Sequence, residues 1–210
     1  MTRMRIITRT LTVAALLAAT SCSSTVRSGN SSMFLVIDSL QAIPGGASTG
    51  QAGSILYSDL RTTVTTGNDS TGRACTQISP CFVVFADNGS ATLELARKDV
   101  TLTTPTSNNQ VTINRVHVHF RFADGSGVPG STVPADFDTF ATATVPPTGS
   151  TTISFELVRV QAKESPPLTA VLASGGVLGV VADLTFIGTD QVGNAVSATG
   201  SIQIQFGDWQ

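Results

Sequence analysis

Ala195-Val196-Ser197-Ala198-Thr199-Gly200-Ser201-Ile202-Gln203-Ile204-Gln205-Phe206 is the stretch that decides the fold. Ala198, Gly200, Ile202, Ile204 and Phe206 alternate with Thr199, Ser201, Gln203 and Gln205, and a period of two sends successive side chains to opposite faces of a strand. One face is predicted to be buried and the other wet, as in an antiparallel sheet resting on a core. Just upstream, Leu184-Thr185-Phe186-Ile187 forms a second β run. Between the two lies Gly188-Thr189-Asp190-Gln191-Val192-Gly193-Asn194, rich in residues that close tight turns. The three pieces predict a hairpin.

The same rhythm extends through the chain. After residue 32 no stretch sustains a helical period for three turns, and the apolar residues alternate or cluster in short runs broken by Gly, Pro, Asn and Asp. The expected strands are Phe34 to Leu40, Leu60 to Thr66, Cys81 to Ala86, Ala91 to Ala96, Val100 to Thr104, Val111 to Ala123, Thr139 to Val145, Thr152 to Ala162, Val177 to Ile187 and Ala195 to Phe206. Asn88-Gly89, within Ala86-Asp87-Asn88-Gly89-Ser90, predicts a second hairpin, because this dipeptide suits turns whose central residues have positive φ. In Thr152 to Ala162 the apolar side switches from Ile153, Phe155 and Leu157 to Val158 and Val160, so either a bulge restores the register or both faces are covered there. Pro166-Pro167 is expected to end that strand and force an extended turn. The glycine- and proline-rich segment from Asp124 to Asp138 is the longest without strand character, the kind of loop that often carries a binding surface.

The Gly-x-Asp-x-x-Gly-Asn turn between the last two strands resembles those of bacterial immunoglobulin-like and fibronectin-like modules. That resemblance implies an all-β, antiparallel immunoglobulin-like β-sandwich of roughly 8–10 strands. It covers residues 184–206 well and the remainder only as strand rhythm. Cys75 and Cys81 are too close together to be the inter-sheet bridge of an antibody domain, and Trp209 lies at the end of the chain instead of in a central strand. Only the architecture is carried over, and no functional residue.

Hydrophobic residues make up 41% of the 210 and charged residues 12%, about half the usual charged share. Ser, Thr, Asn and Gln must therefore supply the wet surface. A net charge of −2 creates no field that would gather nucleic acid or an anionic membrane surface, and those partners are disfavoured.

The N-terminal segment gives an address. Arg3, Arg5 and Arg9 precede the apolar run Leu11 to Ala19, and Thr20, Ser21 and Cys22 follow, which is the order of a secretory signal. The run is too short to cross a bilayer as a stable helix. The residues around Cys22 resemble the bacterial lipobox, whose cysteine receives a diacylglyceryl group and becomes the new N-terminus. They depart from it in having Ala19 where the family favours Leu, and Ala19-Thr20-Ser21 also suits an ordinary cleavage site.

The expected organisation is a signal peptide over 1–21, a lipidated Cys22 with a flexible Ser-rich tether over 22–32, and one domain over 33–210. Ser23 after the cysteine implies, by the same resemblance, onward transport to the outer membrane where one exists. The partners implied are the membrane, through the lipid anchor, and an envelope protein or glycan. In an oxidising compartment Cys75 and Cys81 are expected to form a disulfide, which a short loop would make worth about 2 kcal/mol.

Arg115-Val116-His117-Val118-His119-Phe120-Arg121-Phe122 is the sharpest polar motif. Period two puts Val116, Val118, Phe120 and Phe122 on the core side and Arg115, His117, His119 and Arg121 on the other. Both histidines of the chain thus share one strand face, from which two imidazoles can converge on a metal ion. The flanking arginines argue against a cation, and a third ligand would come from Asp124, Asp136 or Asp138. The same four side chains could instead bind an anionic group, or form a solvated, mildly basic face with no ligand. Asp124, Asp136 and Asp138 could also contribute oxygens to a calcium cage, although the regular Asp-x-Asp-x-Asp-Gly loop is absent. Asp190 and Asn194 are expected to close their turn. For catalysis the chain offers no Gly-x-Ser-x-Gly elbow, His-Glu-x-x-His helix or Gly-rich phosphate loop. The sequence reads as a non-enzyme without a cofactor.

Overall fold

The computed structural model describes residues 31–46, 52–69, 71–99, 101, 104 and 106–209. The signal segment and Cys22 lie outside them, as do most of the tether and Val100, Leu102 and Thr103 from the expected strand Val100 to Thr104. The fold is all-β. Among the described residues eleven strands run in chain order: β1 (Met33–Ile43), β2 (Ile55–Asp59), β3 (Thr62–Val64), β4 (Cys81–Val83), β5 (Asp87–Arg97), β6 (Val111–Arg121), β7 (Phe137–Thr139), β8 (Ala143–Val145), β9 (Ser150–Val158), β10 (Leu178–Asp190) and β11 (Ala195–Gly207). One sheet has the order β1-β5-β9. The second runs β2-β11-β10-β6-β7, with β8 also on β6, and β3 and β4 form a small third pair. All pairings between these strands are antiparallel except β2 with β11, which is parallel.

The two larger sheets share one core. Leu35, Leu93, Ile153 and Phe155 from the first meet Val118, Phe120, Leu184, Phe186, Ile204 and Phe206 from the second. Phe155 and Phe186 touch edge to face, with ring centroids 5.4 Å apart. The alternation in β11 is realised, since Ile202, Ile204 and Phe206 are all buried.

The hairpin β10–β11 forms as expected. Asp190 accepts backbone hydrogen bonds from Val192 and Asn194 on Oδ1 and from the Asn194 amide on Oδ2, and Gly193 adopts φ +87°. Burial works against the Asp190 charge, but these hydrogen bonds prevail and hold its carboxyl below the usual range.

The second expected hairpin is absent. Asn88 and Gly89 lie inside β5, paired with Glu156 and Phe155, and Gly89 is not among the positive-φ glycines. Its lack of a side chain serves packing: a Cβ there would sit 2.4 Å from the Phe155 ring. β4 pairs with β3 instead of β5.

The expected strand Thr152 to Ala162 stops at Val158. The pairing jumps from Asn88–Glu156 to Asp87–Val158, so Leu157 is the extra residue of a bulge, and both Leu157 and Val158 are fully buried. Beyond it come two short helices, α1 (Val160–Lys163) and α2 (Leu168–Ser174), with Pro166-Pro167 between them and Pro167 as the N-cap of α2. Proline is compatible with a helix start, where its missing N–H has no intrahelical acceptor. The expected strand Thr139 to Val145 is split into β7 and β8. Described positions of the stretch from Val100 to Thr104 lie outside any strand.

Candidate functional site

The motif of Arg115 to Phe122 occupies β6, in the middle of the larger sheet. Val116, Val118 and Phe120 are fully buried while the histidines are half-exposed. On one side of β6, His117 faces Asp138 of β7, and on the other His119 faces Asp183 of β10. The outer face of the sheet therefore gathers Arg115, His117, His119 and Arg121 with Asp136, Asp138 and Asp183.

Each of these side chains has a defined partner. His117 Nδ1 lies 2.8 Å from Asp138 Oδ1, and His119 Nδ1 lies 2.7 Å from Asp136 Oδ2. An ionised carboxylate can only accept, so Nδ1 carries the proton in both rings and Nε2 keeps a lone pair when the imidazole is neutral. Asp136 also accepts the Phe120 backbone N–H. Arg115 Nη1 reaches Asp138 Oδ2 at 3.4 Å. Arg121 makes a two-point contact with Asp183, Nε to Oδ2 at 2.6 Å and Nη2 to Oδ1 at 3.1 Å, and Ser201 Oγ donates to the same carboxylate at 2.6 Å. The Arg121 hydrogen bonds hold the Asp183 carboxyl below its usual range despite partial desolvation, and the pairing raises Arg121 in turn.

The sequence motif identified the right strand face but not its charge. Arg115 and Arg121 are neutralised by Asp138 and Asp183, so neither stands open to an anion. Three carboxylates against two guanidinium groups leave one excess negative charge around the two imidazoles when these are neutral. Asp124 does not join Asp136 and Asp138: its Oδ1 accepts from the Ser126 backbone N–H and hydroxyl, which lower its pKa. Asp136 and Asp138 are turned to the histidines. Among the described residues no group of three or more His, Cys, Asp or Glu side chains is arranged to hold a metal ion.

Sequence reasoning missed Arg159 and Lys163. Arg159, just before α1, lies over the Phe137 ring with its Cζ 3.9 Å from the centroid, pairs with Glu156, and donates to the Asp138 carbonyl. It thereby braces β7, which carries Asp138. Beside it a surface pocket of about 320 Å³ is lined by Ala135, Asp136, Phe137, Gln161 and Pro166 among others.

Lys163, one of two lysines in the chain, ends α1 in the interior. Its Nζ lies 2.9 Å from Asp87 Oδ2 and donates to the Asp59 carbonyl at 2.8 Å, and both side chains of the ion pair are at most 1% exposed. Asp87 also accepts from Ser58 Oγ at 2.6 Å and from the Gly45 N–H at 2.7 Å. The network joins the two sheets and α1 to one another. No spacing in the sequence marks it, because Asp87 beside Asn88-Gly89 looks like a turn residue.

Cys75 and Cys81 form a disulfide with a Cα–Cα separation of 5.2 Å, pinning the loop that leads into β4. No protein-family model matches the chain, and neither the curated proteins nor the solved structures give a significant match.

Proposed function

We propose that the chain is an exported, non-catalytic lipoprotein of the bacterial cell envelope, tethered through Cys22, whose domain is an immunoglobulin-like β-sandwich serving adhesion, envelope assembly or ligand presentation. The observation that carries this reading is the Cys75–Cys81 disulfide. Structural disulfides persist in oxidising compartments and are rare in a reducing cytosol, so the bridge agrees with an address read independently from residues 1–22. The sandwich reading draws support from two sheets that share one core and from the closing β10–β11 hairpin. The non-catalytic reading draws on the outer sheet face, where the polar side chains are engaged with one another.

Labelling of the producing cells with an alkyne analogue of palmitate tests the anchor. The wild-type protein is expected to take up label and to sediment with membranes, and Cys22→Ser to lose both properties. Label retained by Cys22→Ser, or a wild-type protein found unlabelled in the cytosol, would overturn the reading.

A further inference from the structure

We infer that His117 and His119 form a two-histidine site for a divalent transition-metal ion on the outer face of the larger sheet, with Asp138 and Asp136 as positioning residues behind the ligands. The inference does not depend on export or lipidation.

Three observations meet at this place. Both imidazoles leave the same face of β6 two residues apart, half-exposed, so their rings are open to solvent. Each Nδ1 is hydrogen-bonded to its own aspartate at 2.7–2.8 Å. A carboxylate on the far ring nitrogen fixes the tautomer and restrains the ring so that Nε2 faces outward with its lone pair, the arrangement found behind metal-bound histidines generally. The charge around the rings is also favourable, because Asp183 and Asp138 engage Arg121 and Arg115 and Asp136 adds a further carboxylate. The repulsion that the arginines suggest from sequence alone is thus removed.

Asp136 and Asp138 act behind the ligands, and two imidazoles supply the protein's share of the coordination shell. Water completes it. Imidazole ligands with open positions suit Cu²⁺, which also heads the intrinsic affinity order for first-row divalent ions. The site should therefore bind Cu²⁺ more tightly than Zn²⁺.

The test uses the full chain with Cys22→Ser as the common background, which removes a competing thiol, and titrates Cu²⁺ by calorimetry and electron paramagnetic resonance. One equivalent is expected with nitrogen couplings from two imidazoles. His117→Ala and His119→Ala should each reduce the coupling to one nitrogen and weaken binding at least about tenfold. Asp136→Asn with Asp138→Asn should keep two nitrogens and weaken binding about tenfold or more, the usual effect of removing such support. Equal binding by the background protein and the double histidine variant would overturn the site, as would a spectrum with one imidazole nitrogen. Unchanged affinity in the double asparagine variant would overturn the positioning role. Circular dichroism of each variant confirms the fold, and these half-exposed positions leave the core untouched.

Discussion

Asp87 and Asp138 each hold a nitrogen-bearing side chain, one in the interior and one on the outer sheet face, and their surroundings give them different roles. Asp87 and Lys163 are at most 1% exposed, whereas Asp138 and His117 are about 40% exposed. In the interior, every lone pair and proton must find a protein partner, and Asp87 finds them in Lys163, Ser58 and the Gly45 N–H. On the outer face water can replace any partner, so the pairs add little stability and remain available to a ligand. Burial makes the first network a structural joint. Exposure makes the second a surface that can bind.

The largest effect should come from breaking the buried joint on one side. Asp87→Asn leaves the Lys163 ammonium uncompensated, and urea denaturation should show a loss of about 3–5 kcal/mol. Asp87→Leu with Lys163→Met should recover much of that loss, because an apolar pair of similar volume escapes the desolvation penalty. A single variant as stable as wild type would place the pair in contact with water. Next in size is the disulfide: Cys75→Ser with Cys81→Ser should lower stability by about 2 kcal/mol in the same measurement.

A smaller effect follows from Asp190. Its pKa is lowered in the folded state, so its contribution is fully present above the unfolded value of about 3.9 and is lost as the pH falls through the folded value. Asp190→Ala should cost about 1 kcal/mol near neutral pH, and the deficit should shrink below about pH 4. A deficit independent of pH would mean that the carboxylate charge has no part in closing the turn. Smallest is Arg121→Ala on the outer face, where the loss is expected to be less than that of Asp190→Ala and to decline with added salt. A loss as large as that of Asp87→Asn would erase the distinction between the two regions.

Legibility in the sequence followed the same division. The alternation in β6 and β11 was readable because one face of each strand is apolar and the other polar, and the β10–β11 turn announced itself through Asp190, Gly193 and Asn194. Asn88-Gly89 misled because its glycine serves the approach of Phe155, a contact between residues more than sixty positions apart. α1 and α2 were too short to display a period. The candidate site was legible as the β6 residues with Asp136 and Asp138 as possible neighbours, yet its charge was not, since Asp183 reaches it from β10 and the pairing of each aspartate with its own cation or imidazole is set by the tertiary fold. Lys163 and Asp87 meet only through the tertiary fold.

Whether the chain is exported, as proposed, decides which medium the outer sheet face meets, and the intact mass of the protein isolated from its own cells tests this most directly. The expected mass is that of a chain beginning at Cys22, heavier by a thioether-linked diacylglyceryl group and lighter by the two hydrogens of the Cys75–Cys81 bridge. A mass corresponding to the whole chain from Met1 with Cys75 and Cys81 reduced would contradict it.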